Sequence, residues 1–305
     1  MLALVSTGAT PDRVELREAP DPSPGRGEAV VRVEAVSLNR GEINRLASAP
    51  GEILGWDLAG TVAVPAADGQ GMPEGTRVVG FARSGGWAQY AAAPNLTIAE
   101  IPDDVSFGAA ATLPVAGLTA LRLLRDCGPI LGKRVLITGA SGGVGRFAVQ
   151  LAALGGAAVT AVAGSAGRAQ GLEEIGAREV VTSLDGLEPF DVILESVGGQ
   201  SLAQALQLVV LGGVIMTFGN SSRQSMTVDP SVFYGRNGAR LQGFSLLAPN
   251  QPQNFSEDLR YLASLVGTGK LDPQIGREES WRNANAAIEA LMNRQVNGKV
   301  VLTID

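Results

Sequence analysis

A glycine-rich turn in the middle of the chain is the clearest candidate for binding chemistry. The strand-like segment Arg134–Thr138 runs directly into Gly-Ala-Ser-Gly-Gly-Val-Gly at residues 139–145, and apolar residues at spacings of three and four follow. Small residues in such a turn let the backbone approach a pyrophosphate, and the N-terminus of the following helix faces its negative charge. Ala140 stands where the first glycine of this fingerprint is usual. The alternative to a cofactor site is that the glycines form a plain tight turn. The pattern predicts a dinucleotide site that includes Ser141, Gly142, Gly143 and Val144.

The residues after this turn bear on which dinucleotide is bound. NAD-selective sites usually place an acidic residue about twenty positions further on, where it accepts hydrogen bonds from the adenosine ribose. No Asp or Glu occurs between Gly145 and Glu173. Ser165 and Arg168 instead supply a hydroxyl and a guanidinium, which suit a 2′-phosphate. We therefore expect NADPH rather than NADH; the alternative for Arg168 is a solvated helix residue.

The composition excludes several kinds of site and partner. The chain has no histidine and one cysteine, Cys127, which excludes an internal disulfide, a cysteine-rich zinc site and a Ser-His-Asp triad. Its net charge is −6, without a basic block, so we expect neither nucleic acid nor anionic membrane as a partner. The N-terminus lacks the features of a signal peptide, and the apolar stretch at 107–121 is too short and interrupted to span a bilayer. We expect a cytoplasmic protein.

The distribution of strand-like and helix-like segments predicts two domains in these 305 residues. The first hundred residues are β-rich, with predicted strands near 57–64, 75–81 and 87–93. From about residue 130, apolar strands alternate with helical stretches, as in a doubly wound parallel sheet. The predicted strands of this sheet are 134–138, 158–163, 191–194 and 213–218. Two helices near 255–267 and 283–293 and a closing strand at 299–304 follow, and we assign them to the first domain.

Several segments together resemble the zinc-independent quinone oxidoreductases of the medium-chain dehydrogenase/reductase superfamily, over nearly the whole chain. Besides the glycine turn, they are Ser37–Asn39, Gly55–Gly60, Gly75–Gly80, Gly86–Tyr90, Leu113–Ala120, Asp191–Gly199 and Gly298–Leu302. The resemblance implies an α/β fold in which a Rossmann doubly wound parallel sheet accompanies a GroES-like, β-rich substrate domain. The implied domains are residues 1–115, completed by 250–305, and residues 116–249. Zinc-dependent relatives carry histidine where this chain has Trp56, so the resemblance implies no metal.

The resemblance also implies the residues of the site. Those around the cofactor are Asn39, Thr119, Ser141, Gly142, Gly143, Val144, Ser165, Arg168, Ser183, Val197, Gly198, Phe218, Gly219, Phe244, Asn297 and Lys299. Asn39 is expected near the nicotinamide and the substrate. Two positions depart from the family, because tyrosines common near the substrate and near the adenosine phosphate correspond to Asn44 and Ser183.

The missing zinc site bears on which substrate accepts the hydride. Oxidation of a simple alcohol requires an alkoxide to be stabilised, which zinc-dependent relatives do with a Lewis acid. A quinone or an α,β-unsaturated carbonyl has its own electron sink, so the protein need only hold the reactants and donate hydrogen bonds. The candidate donors are Asn39, Arg40, Asn44 and the backbone near Gly219 and Asn220, although Asn39 could instead cap a turn and Arg40 could be solvated.

These observations predict an enzyme, an NADPH-dependent and zinc-free oxidoreductase that passes hydride to a small-molecule quinone or enone. Two alternatives stay open: an enoyl-thioester reductase, and an NADPH-binding sensor or structural protein without turnover. The family resemblance, together with the apolar run Val214–Phe218 taken as an edge strand, also predicts a homodimer.

Overall fold

The chain folds into two compact units, seen in a computed structural model that describes residues 1–248 and 253–305. One unit is Met1–Leu118 with Pro252–Asp305, and the other is Thr119–Gln251. The predicted domain boundary at residues 249 and 250 lies outside the described residues. No helix among the described residues is long and apolar enough to cross a membrane.

Strands and helices alternate irregularly along the described residues. In chain order the strands are β1 (Leu2–Ser6), β2 (Val14–Glu18), β3 (Glu28–Ser37), β4 (Asp57–Val64), β5 (Arg77–Phe81), β6 (Tyr90–Pro94), β7 (Ile98–Glu100), β8 (Arg134–Thr138), β9 (Ala158–Val162), β10 (Glu179–Val181), β11 (Phe190–Glu195), β12 (Val209–Thr217), β13 (Arg240–Gly243), β14 (Ile275–Ser280) and β15 (Lys299–Thr303). The α-helices are α1 (Arg40–Arg45), α2 (Phe107–Ala111), α3 (Leu118–Asp126), α4 (Gly143–Leu154), α5 (Ala166–Ala169), α6 (Gly199–Ala205), α7 (Ser231–Tyr234), α8 (Ser256–Gly267) and α9 (Ala284–Met292). Short 3₁₀ turns cover Leu46–Ser48, Asn95–Thr97 and Trp281–Asn283, and a π-helical turn covers Leu113–Gly117.

The unit that contains the glycine turn is built on a parallel sheet. Within the described residues its strands lie in the order β10-β9-β8-β11-β12-β13, and every neighbouring pair is parallel. Renumbered within the unit, this is the Rossmann order 3-2-1-4-5-6. The order reverses between β8 and β11, so the carboxyl ends of these two strands flank the crevice in which doubly wound sheets bind ligands. The predicted fold class is confirmed.

Strands β10 and β13, at the two edges of this sheet, were not predicted from the sequence, for a physical reason. Central strands of a parallel sheet are covered on both faces and are therefore nearly continuous apolar runs, as β8 is from Val135 to Thr138. The edge strands are only three and four residues long and are partly exposed. Segments this short carry no apolar periodicity to recognise.

The apolar run Val214–Phe218 is not at an edge, and this part of the prediction was wrong. Strand β12 pairs with β11 on one side and with β13 on the other. Val214, Ile215 and Met216 are buried, so the run is apolar because it is an interior strand. The edge beside it is β13, and the homodimer stays a prediction.

The other unit is organised around the ten-residue strand β3. One side of β3 pairs antiparallel with β4, and the other side pairs with β6 over Glu28–Arg32 and with β15 over Ala35–Ser37. The last strand of the chain therefore completes a sheet begun by the first hundred residues. The register sets Ser37 opposite Asp57 on one side and opposite Val301 on the other. A core that includes the fully buried Trp87 and Trp281 packs against these strands.

Cys127 is buried just after α3, and burial raises the pKa of its thiol from 9.0 to about 12, with a further contribution from the negative charge of Asp126. A pKa raised by three units leaves roughly a thousandth of the usual thiolate, the form that reacts. We therefore expect native protein at pH 8 to react with a disulfide reagent at least about a hundredfold more slowly than protein unfolded in guanidinium chloride. Equal rates in the two states would contradict the buried position.

Candidate cofactor cradle and buried polar cluster

The turn after β8 has the backbone geometry that a dinucleotide fingerprint requires. Gly139 has φ +61°, the left-handed region that favours glycine. Ala140 follows, fully buried, and its N–H donates to the carbonyl of Val162 at the end of β9. The departure noted in the sequence therefore has a simple reason: the residue that makes the sharp turn is Gly139, one position before the expected glycine.

Gly142 and Gly145 have different surroundings. Gly142 precedes the first residue of α4, and a Cβ there would meet nothing closer than the Gly139 carbonyl oxygen, at 3.4 Å. The backbone at Gly142 thus stays open to a close-lying ligand group. A Cβ on Gly145 would instead collide with the carbonyl oxygen of Gly139 and the backbone of Ala140. Gly145 therefore allows α4 to pack closely on β8, the role of the third glycine in the fingerprint.

Two residues predicted for the 2′-phosphate region lie at the end of β9. Ser165 is exposed and directly precedes the single-turn helix α5, which carries Arg168. The Nε of Arg168 donates to the Oγ of Ser141, the buried serine of the glycine turn, at 3.1 Å. The structure thus joins Arg168, a partly exposed helix residue, to the glycine turn by a hydrogen bond, and its role at the 2′-phosphate stays a prediction.

A buried glutamate, Glu195, organises the end of β11. It is fully buried and accepts hydrogen bonds from the Oγ1 of Thr138 at 3.1 Å and from the backbone N–H groups of Val197 and Gly198 at 3.0 Å each. The Oγ of Ser201 donates to it as well, at 2.9 Å. Sequence reasoning missed Glu195; the available signal was a charged residue that ends an otherwise apolar run.

The other residues predicted in this unit lie near the carboxyl ends of the same parallel strands. Phe218 and Gly219 follow β12, and the Phe218 N–H donates to the Glu195 carbonyl at 3.0 Å. Phe244 follows β13 and is buried. Ser183 follows β10, and its Oγ donates to the carboxylate of Asp185 at 2.8 Å. Thr119, in α3, is buried. Apart from Thr119, the predicted cofactor residues of this unit therefore share one edge of the sheet.

The other unit contains a buried polar cluster, which we define as Ser37, Asn39, Glu42, Asp57 and Lys299. All five are nine-tenths or more buried. Oδ2 of Asp57 accepts from the Oγ of Ser37 at 2.5 Å, from Nδ2 of Asn39 at 2.7 Å and from Nζ of Lys299 at 3.3 Å. Nζ of Lys299 also donates to Oδ1 of Asn39 at 2.7 Å. The sequence analysis named Asn39 and Lys299 for cofactor binding, which stays a prediction, and it named neither Glu42 nor Asp57.

Within this cluster, Glu42 fixes the first turn of α1. Its Oε1 accepts from the backbone N–H of Asn39 at 2.7 Å and from Nδ2 of Asn39 at 3.1 Å, while its Oε2 accepts from the N–H of Trp56 at 2.8 Å. Both amide hydrogens of Asn39 are therefore directed to carboxyl groups, one on Glu42 and one on Asp57. The bond from the backbone N–H of Asn39 to Oε1 of Glu42 is half of a capping box, which fixes Asn39 as the residue before the helix.

The remaining predicted residues of this unit lie in different surroundings. Nη2 of Arg40 donates to the carbonyls of Leu291 and Met292 at 3.1 and 2.9 Å, at the C-terminal end of α9. The C-terminal end of a helix is a favourable position for a cation, because the helix dipole is negative there. Asn44 is exposed on α1, and Asn297 is half-buried just before β15.

Among residues 1–248 and 253–305, no group of three His, Cys, Asp or Glu side chains is arranged to hold a metal ion.

Glu42 makes the stability of this unit depend on pH. Burial, and then the negative charge of Asp57, raise the pKa of Glu42 from 4.5 to about 8, against the opposing N–H groups of Trp56 and Asn39 and the charge of Lys299. Between pH 4.5 and pH 8 the folded protein therefore holds a proton that the unfolded chain has released. The contribution of this group is complete below that window and is lost as the pH rises through it.

We expect the unfolding free energy of Glu42→Gln to fall less between pH 5 and pH 8 than that of the wild type. At pH 5 the variant should be less stable by about 1 kcal/mol, because the amide nitrogen of Gln cannot accept a hydrogen bond, whereas both carboxyl oxygens of Glu42 do. Urea unfolding at the two pH values measures the difference. The exposed Glu15→Gln in the same unit is the matched control and should keep the wild-type slope. Parallel slopes for the wild type and Glu42→Gln would contradict the assignment.

Comparison with known proteins agrees with this architecture. The family described as "Alcohol dehydrogenase GroES-like domain" matches residues 25–103, and the family described as "Zinc-binding dehydrogenase" matches residues 143–264. A solved mycobacterial structure, in complex with NADPH, is similar with a TM-score of 0.88 at 25% identity and covers 99% of this chain and 100% of that one.

Two curated relatives are similar over almost the whole chain. The spectinabilin polyketide synthase system protein NorB of Streptomyces orinoci is 34% identical over 97% of this chain, which spans only 14% of that protein. The chloroplastic quinone-oxidoreductase QR1 of Triphysaria versicolor is 30% identical over 93% of this chain, which spans 92% of that protein. With the family matches and the fold, this similarity confirms the resemblance: the chain belongs to the quinone oxidoreductase family of the medium-chain dehydrogenase/reductase superfamily of oxidoreductases.

Proposed function

We propose that this protein is an NADPH-dependent oxidoreductase that transfers hydride to a quinone or an α,β-unsaturated carbonyl without a metal. The observation that carries the proposal is the contact between Arg168 and Ser141 at 3.1 Å, which holds a guanidinium beside the glycine turn. No acidic residue follows the glycines at the position that NAD-selective sites use. The mycobacterial neighbour solved with NADPH supports the same cofactor.

The residues at the turn fit a dinucleotide. Gly142 leaves its surroundings open where a pyrophosphate would approach the backbone, and Gly164 and Gly167 have nothing within 4 Å of an added Cβ. Gly142, Gly143 and Val144 would hold the pyrophosphate at the N-terminus of α4, and Ser165 with Arg168 would hold the 2′-phosphate. When bound, the reduced nicotinamide supplies a hydride.

The protein's own contribution to the reaction would be binding and hydrogen bonding. A quinone or enone spreads the charge that it gains into a quinol or enolate oxygen, so hydrogen-bond donors suffice where an alkoxide would need a Lewis acid. Asn44 is an exposed candidate donor. Asn39 already directs both amide hydrogens to Glu42 and Asp57, so we propose that Asn39 shapes the site through the buried polar cluster. The final proton would come from water.

The relative NorB favours a second candidate acceptor, an enoyl thioester. This chain matches a segment that makes up 14% of that polyketide synthase system protein. An enoyl thioester is itself an α,β-unsaturated carbonyl, so it would use the same hydride addition and the same enolate. The two candidates therefore differ in how the acceptor is recognised, rather than in the chemistry.

Oxidation of NADPH, followed by its absorbance, tests the proposal with a panel of quinones, small enones and enoyl thioesters. We expect turnover with at least one quinone or enone and the same rate after treatment with a chelator, because the proposed chemistry has no metal in it. Turnover restricted to enoyl thioesters would favour the second candidate. NADPH binding without turnover on any acceptor, or loss of activity on chelation, would contradict the proposal.

The choice of NADPH over NADH is tested at Arg168. Replacing Arg168 by Glu should weaken NADPH binding by about 1–3 kcal/mol, the value of a lost charge-assisted hydrogen bond, because the new carboxylate also repels the 2′-phosphate. NADH lacks this phosphate and should bind about as well as before. Titration of each reduced cofactor measures both affinities. Arg178→Glu, an exposed charge reversal just before β10, is the control and should change neither. Equal affinity of the wild type for NADPH and NADH would contradict the proposed preference for NADPH.

A further inference from the structure

Arg146 is a buried arginine next to the last glycine of the fingerprint, at a position for which the fingerprint prescribes no residue type. It is the fourth residue of α4 and only 7% exposed. Arginine is rarely buried unless its guanidinium is held by acceptors, since burying an uncompensated charge is costly. The groups that the Arg146 guanidinium contacts therefore indicate the role of this side chain.

The guanidinium of Arg146 lies against the backbone that follows α5. Its Nη2 donates to the carbonyl oxygen of Gln170, the residue directly after the helix, at 2.5 Å. The next residue, Gly171, has φ +76°, and a Cβ there would come within 3.4 Å of Nη1 of Arg146. The left-handed conformation at Gly171 thus brings the chain close to the guanidinium.

Helix α5 is not anchored by burial. None of its residues, 166–169, is buried, and the fully buried Leu172 is the next apolar anchor along the chain. Side-chain bonds from Arg168 to Ser141 and from Arg146 to the Gln170 carbonyl connect this short segment to the glycine turn and α4. One bond holds the phosphate-binding guanidinium itself, and the other holds the backbone two residues further on.

We propose that Arg146 is a positioning residue for recognition of the 2′-phosphate, and this inference rests on the proposed use of NADPH. Arg146 fixes the backbone after α5, so Arg168 is already in place when the cofactor arrives. A preorganised group avoids the cost of ordering a loop on binding. NADH does not use Arg168, so its affinity should not depend on this arrangement.

The experiment compares the affinities for NADPH and NADH in Arg146→Met, Arg168→Met and the double variant. The control is Arg134→Met, because Arg134 also donates from Nη2 to a backbone carbonyl, that of Glu188 at 3.3 Å, but at the first residue of β8. Arg146→Met should lower the preference for NADPH about five- to tenfold, since a charge-assisted hydrogen bond is at stake, with NADH affinity changed by less than about twofold. Arg134→Met should leave both affinities unchanged.

The double variant separates positioning from a purely structural role. If Arg146 acts through Arg168, then adding Arg146→Met to Arg168→Met should lower the NADPH preference no further, because the group being positioned has gone. A structural role would instead weaken NADPH and NADH equally, and an independent contact with the phosphate would give effects that multiply; either result overturns the inference. Arg146→Gln, which keeps a polar but shorter side chain, is measured in parallel in case Arg146→Met does not fold, and the same outcomes apply to it.

Failure of this inference is distinguishable from failure of the proposed function. If Arg168→Met lowers the NADPH preference and Arg146→Met does not, then only the positioning role is wrong. If the wild type has no preference for NADPH, then the proposed cofactor is wrong. If the wild type prefers NADPH and Arg168→Met leaves that preference unchanged, then the proposed role of Arg168 is wrong. The inference falls in either case.

Discussion

The unit that contains the glycine turn depends on one buried interaction, the hydrogen bond that Thr138 donates to Glu195. These residues end β8 and β11, the two strands between which the order of the parallel sheet reverses. A buried carboxylate is tolerated only when its oxygens are satisfied, and Glu195 achieves this by accepting hydrogen bonds from the loop that follows it, at Val197 and Gly198. The same contacts that satisfy the carboxyl oxygens of Glu195 therefore fix the backbone on one side of the crevice.

A similar principle governs the other unit, although the groups are different. Asp57 begins β4 opposite the end of β3, and the carboxylate accepts hydrogen bonds from Ser37, Asn39 and Lys299. Its second oxygen accepts the N–H of Val115, in the π-helical turn Leu113–Gly117. Such turns are frequent at functional sites. One buried carboxylate thus connects the last strand of the chain, the start of α1 and the π-helical turn.

Local pattern predicted much of this fold, and long-range pairing accounts for what it missed. The strand at 134–138 and the strand at 57–64 were predicted at their observed bounds, because each is an apolar run with clear ends. The glycine turn could be interpreted because its backbone requirements lie within seven residues. The partners of Asn39 could not be, because Lys299 is 260 residues away in the sequence and reaches it only through the pairing of β15 with β3. Glu42, three residues from Asn39, resembles an ordinary surface helix residue until Trp56 and Asp57 are known to enclose it.

The charge of the molecule bears on the proposed phosphate site, which would depend on a few well-held groups. A net charge of −6 repels an anionic cofactor at long range, so attraction has to come from groups close to the phosphates. Backbone N–H groups at the N-terminus of α4 would supply part of it without any charged side chain. In the proposed site Arg168 would supply a full charge, but on a helix of one turn that buries none of its residues. A charge on such a segment is useful only if its position is fixed. The hydrogen bonds that Arg168 donates to Ser141 and that Arg146 donates to the Gln170 carbonyl would therefore matter more for this site than the number of basic residues in the chain.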